Sequence, residues 1–273
     1  MNSIDPGNES NQNELLHESK KLSQIALPAI LVEQFNWLVV TETAAVVGKQ
    51  LGSTELAAFS LCCLAGNISL LAIIVALMSA MDTLAPRAYG SGNYAEVARL
   101  AMRGFLLCLI ILTLFVALLC YYFKPLFHAM GQDYSVVELA AQWLWYYVLS
   151  LPAVLLYRVI QRFLGSQGIV MPLVYVNMVS CTIIHPLGLY YLVPAYGFIG
   201  SAVAWVVTRV MQSVLLILFL HYLRPYHPET WTGTVMLCDM NFWKDVINGS
   251  ALREYVRLAI GGLMALSEWW SWE

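Results

Sequence analysis

Residues 104–123 read GFLLCLIILTLFVALLCYYF, a run without a charged side chain. A helix needs about 20 mainly apolar residues to cross the hydrocarbon core of a bilayer, and this run has that length. Such runs are too continuously apolar for the alternating strands of a membrane barrel. Further long apolar segments lie at about 22–47, 56–81, 136–157, 169–193 and 198–223. The sequence therefore predicts an all-α polytopic membrane protein with six transmembrane helices, plus the start of a seventh near Leu258.

The composition of the 273-residue chain supports a membrane protein. Hydrophobic residues make up 60% of the chain and charged residues 11%, with a mean hydropathy of +0.68. Soluble domains carry about 25% charged residues, so a soluble enzyme is excluded. A net charge of −3 offers no basic surface for nucleic acid. The chain shows no phosphate loop, nucleophile elbow or zinc-ligand spacing, so we expect neither catalysis nor a cofactor, and the lipid bilayer as the main partner.

Lysine and arginine are distributed unequally between the two ends of the predicted helices. With a cytosolic N-terminus, eleven lie at cytosolic ends, whereas the far side holds only Lys49 and Lys124. The positive-inside rule therefore predicts that the N-terminus is cytosolic. The domains expected are a disordered cytosolic tail over 1–21, a six-helix transmembrane lobe over 22–223, a cytosolic linker with an amphipathic helix over 224–257, and the truncated start of a seventh helix over 258–273.

The first predicted span contains several polar side chains, which are functional candidates because charges inside a membrane are costly. Glu33 and Asn36 are three residues apart and share a helix face. Glu42 lies nine residues after Glu33, about 180° around the helix, so the two carboxylates cannot serve one small site unless the helix bends. Pro28 could provide such a bend. Alternatively, Glu42 lies near the outer interface and has no such role.

The fifth and sixth predicted spans also contain polar residues. Asn177 and His185 belong to the fifth. A histidine in a span can relay protons, but His185 precedes Pro186, and the interpretation favoured here is that it caps carbonyls freed by that proline. Arg209 in the sixth span is expected to extend to the interface or to pair with a carboxylate.

Glu268 lies near half-depth of the expected seventh helix and is a candidate for proton binding. The adjacent Trp269 and Trp270 could face an organic cation through their rings, or they could form an interfacial aromatic belt.

Three segments resemble motifs of the multidrug and toxic compound extrusion (MATE) transporters. Met81–Gly92 resembles the family's DTLxxQAYGAG loop, Leu51–Ala58 its LGxxELAA turn, and Arg162–Val174 its RYLQAQGIVxPLV segment. Arg87 stands where the family usually has glutamine. The motif residues expected to have structural roles are Asp82, Thr83, Arg87, Tyr89, Gly90, Gln167, Gly168 and Pro172.

The resemblance implies a twelve-helix antiporter of two lobes that exports organic cations or drugs in exchange for protons, or for sodium in some members, with protons favoured here. This chain would be the N-terminal lobe, without its C-terminal partner lobe. Glu268 matches the family's helix-7 glutamate, the proposed site for protons and cations. Glu42 corresponds more loosely to an acidic helix-1 residue, and Glu33 is a further candidate. The expected substrate-lining residues are Asn36, Trp37, Asn177, His185, Trp269 and Trp270.

Two alternatives remain at this point. One is a seven-helix receptor, suggested by the number of spans but opposed by the charge distribution, because it needs the N-terminus outside. The other is a fragment that does not transport. The expected location is the plasma membrane or a vacuolar or other organellar membrane.

Overall fold

The computed structural model describes the backbone of residues 6–233, 236 and 238–270, and the side chains of 19–264 except 21, 22, 25, 234, 235 and 237. This part of the chain is helical and contains no β-strand. Its helices are α1 (Pro6–Gln50), α2 (Ser53–Gly66), α3 (Ala72–Gly90), α4 (Tyr94–Ala129), α5 (Tyr134–Gly165), α6 (Met171–Val179), α7 (His185–Tyr196), α8 (Phe198–Leu223), α9 (Met240–Val246) and α10 (Gly249–Trp270).

Six helical stretches are long and apolar enough to cross a membrane, which confirms the predicted fold class. Two of them are interrupted by one π-helical turn each. Asn67–Leu71 joins α2 to α3, and Ser180–Ile184 joins α6 to α7. The six spans are Ala26–Gln50, Ser53–Gly90, Tyr94–Ala129, Tyr134–Gly165, Met171–Tyr196 and Phe198–Leu223.

Helix α5 lies at the centre of the bundle and packs against α2, α4 and α8. Its Trp143 is fully enclosed, with ring centroids 5.2 Å from Phe59 of α2 and 5.4 Å from Trp205 of α8. The indole N–H of Trp143 donates to Ser201 Oγ at 3.1 Å. A buried tryptophan needs such a partner, so these residues fix three spans around one aromatic centre.

Two glycines allow helices to approach closely. A Cβ atom on Gly200 would lie 2.0 Å from the carbonyl oxygen of Leu192, so the α7–α8 hairpin can close only with glycine there. A Cβ on Gly66 would lie 2.7 Å from the ring of Tyr147, whose hydroxyl donates to Asn67 Oδ1 at 3.2 Å. Small residues commonly permit such contacts between membrane helices, and Gly66 lets α5 approach the first π-turn.

The structure differs from the sequence prediction at both ends of the chain. Residues 6–21, expected to be a disordered tail, belong to α1. Glutamate, leucine and lysine in this stretch favour helix, and extending an existing helix adds one hydrogen bond per residue. At the other end, α10 runs without a break from Gly249 to Trp270, so no boundary separates linker and seventh helix near residue 258.

The stretch 81–92, which resembles a loop of the family, is also mostly helical. Residues 81–90 are the last turns of α3, and the non-helical connection to α4 is only Ser91–Asn93. Pro86 lies inside this helix. A proline there removes one backbone hydrogen bond, and neighbouring helices make this tolerable in membrane bundles.

Candidate functional site

Glu33 of α1 forms an ion pair with Arg158 of α5. The two guanidinium nitrogens lie 2.7 and 3.4 Å from its carboxylate oxygens, and the Gln161 side-chain amide donates to Glu33 Oε1 at 3.2 Å. The Arg158 side chain is 14% exposed and that of Glu33 44%. Two-point pairing of arginine with carboxylate is among the stronger polar contacts in proteins, so Glu33 has a structural partner.

Asn36, one turn further along α1, contacts a different set of residues. The Arg209 guanidinium donates to Asn36 Oδ1 at 2.9 Å and to Gln212 Oε1 at 3.2 Å. The Gln212 side-chain amide in turn donates to the side-chain Oδ1 atoms of both Asn36 and Asn177. We call Asn36, Asn177, Arg209 and Gln212 the asparagine cluster. It brings together two of the predicted substrate-lining residues and joins α1, α6 and α8.

Arg209 carries the positive charge of this cluster without a carboxylate. Among the described residues no acidic side chain forms an ion pair with it, and its Nε atom is buried without a hydrogen-bond partner. Its guanidinium instead lies 4.8 Å from the ring centroid of Trp205. The expectation that Arg209 reaches the interface or meets a carboxylate is therefore wrong in the described part, because amide oxygens and an aromatic face surround it.

His185 is fully buried and connects three helices. Its Nε2 lies 2.9 Å from the hydroxyl of Thr43 on α1, and its Nδ1 lies 2.9 Å from the hydroxyl of Thr208 on α8. The expectation that it caps carbonyls freed by Pro186 is wrong, because both ring nitrogens are used by the two threonines. The neighbouring turn instead adopts the π-helical geometry of Ser180–Ile184.

Glu42 and Trp37 lie apart from these contacts. Glu42 is half-buried, and its Oε2 atom is shielded without a hydrogen-bond partner in the described structure. Trp37 is 47% exposed. The two glutamates of α1 do not form a joint site.

Residues of two of the motifs, Met81–Gly92 and Arg162–Val174, hold one end of the bundle together. Asp82 forms a 3.0 Å ion pair with Arg162, which joins α3 to α5. Gln167 Oε1 accepts the backbone N–H of His227 at 2.9 Å. Gly168 has a φ of +73°, which disfavours any residue with a Cβ.

The remaining motif residues occupy less constrained positions. Thr83 and Arg87 are exposed on the last turns of α3, and Gly90 is its final residue. Pro172 lies in the first turn of α6, where its missing N–H costs nothing. Tyr89 packs against Tyr94, with ring centroids 5.3 Å apart.

Glu268, Trp269 and Trp270 lie on α10, but their side chains are outside the described residues. Helix α10 packs against α3, where a Cβ on Gly262 would lie 1.8 Å from Ser79 Oγ. The described residues contain no group of three or more His, Cys, Asp or Glu side chains that could hold a metal ion.

The sequence did not reveal the partners of these candidates. Arg158 is one of the eleven basic residues placed at cytosolic helix ends, yet it pairs with Glu33. Thr43 and Thr208 lie among apolar residues, and nothing in the sequence distinguishes them. The spacing of Arg158 and Gln161, one helical turn apart, was the only local signal for a shared partner.

Comparison with known proteins identifies relatives of this chain. The family model MatE matches residues 12–191. The chain is 30% identical over 263 residues to multidrug and toxin extrusion protein 1 of Xenopus tropicalis, which covers 95% of this chain and 43% of the relative. It is 30% identical over 267 residues to the human protein of that name, covering 94% of this chain and 43% of that protein. The chain thus spans less than half the length of these relatives.

Solved structures share the fold. The eukaryotic MATE transporter AtDTX14 superimposes with a TM-score of 0.80 at 24% identity, covering 94% of this chain and 55% of that one. A multidrug resistance MATE transporter in an outward-facing conformation gives 0.70 at 18% identity, with 90% and 53% covered. The six spans described here therefore correspond to half of such a fold.

Proposed function

Because the chain belongs to the MatE family, we propose that it forms the N-terminal half of an antiporter that exports organic cations or drugs in exchange for protons. Its relatives are named for multidrug and toxin extrusion, and the family assignment excludes the seven-helix receptor. The observation that favours Glu42 over Glu33 as a coupling carboxylate is the contrast between these two glutamates of α1. Arg158 neutralises Glu33, whereas Glu42 keeps a shielded carboxylate oxygen without a partner.

The proposed coupling requires a proton and a cation to compete for one carboxylate. Protonation from the outside releases the bound cation, and loss of the proton on the cytosolic side lets the next cation bind. We assign this role first to Glu268 and second to Glu42, since a carboxyl group in a membrane is costly unless it serves such a purpose. The ion pair leaves Glu33 a smaller part in coupling.

The substrate-lining role is proposed for the asparagine cluster face and nearby aromatic residues. Asn36 and Asn177 would offer polar contacts, with His185 supporting their helices, while Trp37, Trp269 and Trp270 would stack on an organic cation. The exposed Trp37 would then face the second lobe across a central cavity. The N-terminus would be cytosolic, in a plasma, vacuolar or other organellar membrane.

A second candidate is a half-transporter that does not transport without a C-terminal lobe. The observation that favours it is the match itself, because the matched part of this chain corresponds to 43% of each of these relatives, which is about one lobe. A single lobe provides one wall of a cavity that needs two.

Both proposals can be tested in proteoliposomes. The chain is reconstituted alone or with the C-terminal six-helix lobe of the Xenopus relative, and uptake of tetraethylammonium driven by a pH gradient is measured. We expect exchange only with both lobes present. Robust exchange by the chain alone as a monomer would overturn the half-transporter interpretation, and no exchange in either preparation counts against the antiporter assignment once folding of both lobes is verified.

Substitution of the carboxylates then tests coupling. We expect Glu268→Gln to abolish proton-dependent exchange and Glu42→Gln to reduce it several-fold. Glu138→Gln is the matched control, because Glu138 pairs with Lys124 away from the asparagine cluster. A Glu268→Gln protein that exchanges at the normal rate would show that the coupling assignment is wrong.

A further inference from the structure

An apolar crevice of about 400 Å³ lies on the bundle between α4 and α8, with α5 as its floor. Helix α5 packs against both neighbours and separates them. Its walls are formed by large apolar side chains, among them Phe105, Ile160, Phe163, Ile217 and Leu220. A cavity of this size can take the first part of a flexible apolar chain.

The segment that follows α8 closes one end of the crevice. Tyr226 and Trp231 of this segment line it and contact Phe163 edge-on, with centroids 5.9 and 6.3 Å apart. The His227 ring stacks on Tyr94 at 4.1 Å, and the His227 backbone N–H is held by Gln167. The segment that closes this end is therefore fixed to the first turn of α4 and to the turn that follows α5.

A second, more polar cavity of about 600 Å³ adjoins the crevice and shares His221, Tyr226 and Trp231 with it. Arg224 lines this cavity and is exposed. Arginines 99, 103 and 162 at the same end of the bundle pair with carboxylates, whereas Arg224 forms no ion pair with the described residues. The rim of the apolar crevice thus offers a positive charge that forms no ion pair with the described residues.

The backbone at Arg224 is unusual. Its φ of +41° makes it the one non-glycine residue with positive φ in the described part of the chain. Glycine or asparagine adopts this conformation more easily, and the following Pro225 further disfavours it. Arg224 is the C-cap of α8, and its backbone N–H donates to the Leu220 carbonyl oxygen at 3.1 Å. Glycine or asparagine is usual at such a helix end, so an arginine there is a starting point for a functional hypothesis.

We propose that the crevice binds an anionic phospholipid from the leaflet at this end of the bundle. One acyl chain occupies the crevice over α5, and the phosphate contacts Arg224 and His221 at its rim. Tyr226 and Trp231 lie at the level of the headgroup, as aromatic residues do at membrane interfaces. Basic side chains close to a membrane surface attract anionic lipids, so charge selects phosphatidylserine or a similar lipid over a zwitterionic one.

The location separates this site from the asparagine cluster. Leu220 lies eleven residues after Arg209 on α8, or about 16 Å along the helix axis. The positive rim also disfavours an organic cation. The proposal therefore does not depend on the transport function proposed above.

Photolabelling of the full chain in nanodiscs tests the proposal. Nanodiscs of phosphatidylcholine receive traces of phosphatidylserine or of phosphatidylcholine, each with a diazirine on the acyl chain, and labelled peptides are mapped by mass spectrometry. We expect the anionic probe to label the peptides around Phe163, Leu220 and Trp231 roughly fivefold more than the neutral probe, about what one basic side chain contributes. Equal labelling by both probes would overturn the anionic site.

Two variants and one control sharpen the result. Arg224→Asn suits the left-handed backbone and removes the charge, so the protein should fold while the preference for the anionic probe disappears. Ile217→Trp fills the crevice and should reduce labelling by both probes. Arg87→Gln removes an exposed arginine at the same end and should change neither the labelling nor the preference for the anionic probe.

A preference that survives Arg224→Asn contradicts the proposal, as does complete loss of labelling when the C-terminal lobe is added. Competition by soluble glycerophosphoserine as strong as by the intact lipid would also overturn it, since it would show a headgroup site that ignores the crevice.

Discussion

Two partly buried arginines contact α1 only one helical turn apart, yet they have different electrostatic surroundings. Arg158 meets the carboxylate of Glu33, with Gln161 completing the contact, and the group is close to neutral. Arg209 meets the amide oxygens of Asn36 and Gln212 and the ring of Trp205, so its charge is not neutralised by a described residue. Both contacts join helices, but the first does so with little net charge, whereas the second leaves a positive charge among the helices that it joins.

The contrast between the two arginines also affects where a proton or a cation can bind in this lobe. The Glu33–Arg158 pair is close to neutral and therefore attracts neither a proton nor a charged ligand. The Arg209 guanidinium, which is held by amide oxygens, repels a second cation. The asparagine cluster would therefore line the proposed pathway as a polar wall, and the organic cation itself would be held by the carboxylates and aromatic rings proposed above. The two arginines can be compared directly by substitution.

The largest effect is expected for Glu33→Gln. This change leaves the largely buried Arg158 without its carboxylate, which costs several kcal/mol in a fully buried pair. Because the Glu33 side chain is 44% exposed, we expect a loss of about 2–3 kcal/mol after solvent screening. Unfolding of the reconstituted chain by steric trapping measures it. The double variant Glu33→Leu with Arg158→Met should recover most of the loss, and no recovery would argue against the ion pair as the cause.

Arg209→Met should have a smaller effect, a loss of about 1–2 kcal/mol, which is typical of leaving a buried acceptor unsatisfied. The acceptor affected is Gln212 Oε1, because Asn36 Oδ1 still receives the Gln212 amide. The same unfolding measurement applies. If this variant loses as much stability as Glu33→Gln, the two arginines are equivalent and the comparison fails.

Asn36→Asp gives Arg209 the carboxylate that it lacks. Because hydrogen bonds between charged partners are about twice as strong as neutral ones, we expect a gain of about 1 kcal/mol. The gain should vanish in the Arg209→Met background, which a double-mutant cycle would show. A destabilised Asn36→Asp protein with Arg209 present would mean that the guanidinium is already neutralised by another group.

The smallest effect is expected for Lys124→Met. Lys124 and Glu138 lie 2.6 Å apart, but both side chains are partly exposed. Exposed pairs contribute about 0–1 kcal/mol, so the change in unfolding free energy should be below about 0.5 kcal/mol. This variant sets the baseline for a surface pair, and a loss similar to that of Glu33→Gln would remove the distinction between buried and exposed pairs.

The positions of the spans could be predicted well because membrane helices need long apolar runs, and the run at 104–123 lies entirely within α4. Helix ends were less predictable. Pro86 and Gly90 are residue types that often mark a turn, but α3 continues through both, and the chain leaves the helix only at Ser91–Asn93. Helical periodicity predicted that Glu33 and Asn36 share a helix face. It did not predict that Glu33 contacts α5 while Asn36 contacts α8.

The sequence by itself determined the membrane location, the all-α class and the number of spans, because these depend on local hydropathy and on hydrogen bonds within each helix. It also supplied the motifs that identified the family. Only the tertiary structure decided which carboxylate meets which arginine, and it placed His185 between Thr43 and Thr208. Such contacts depend on how helices distant in the chain rotate against each other, and neither helical periodicity nor composition contains that information.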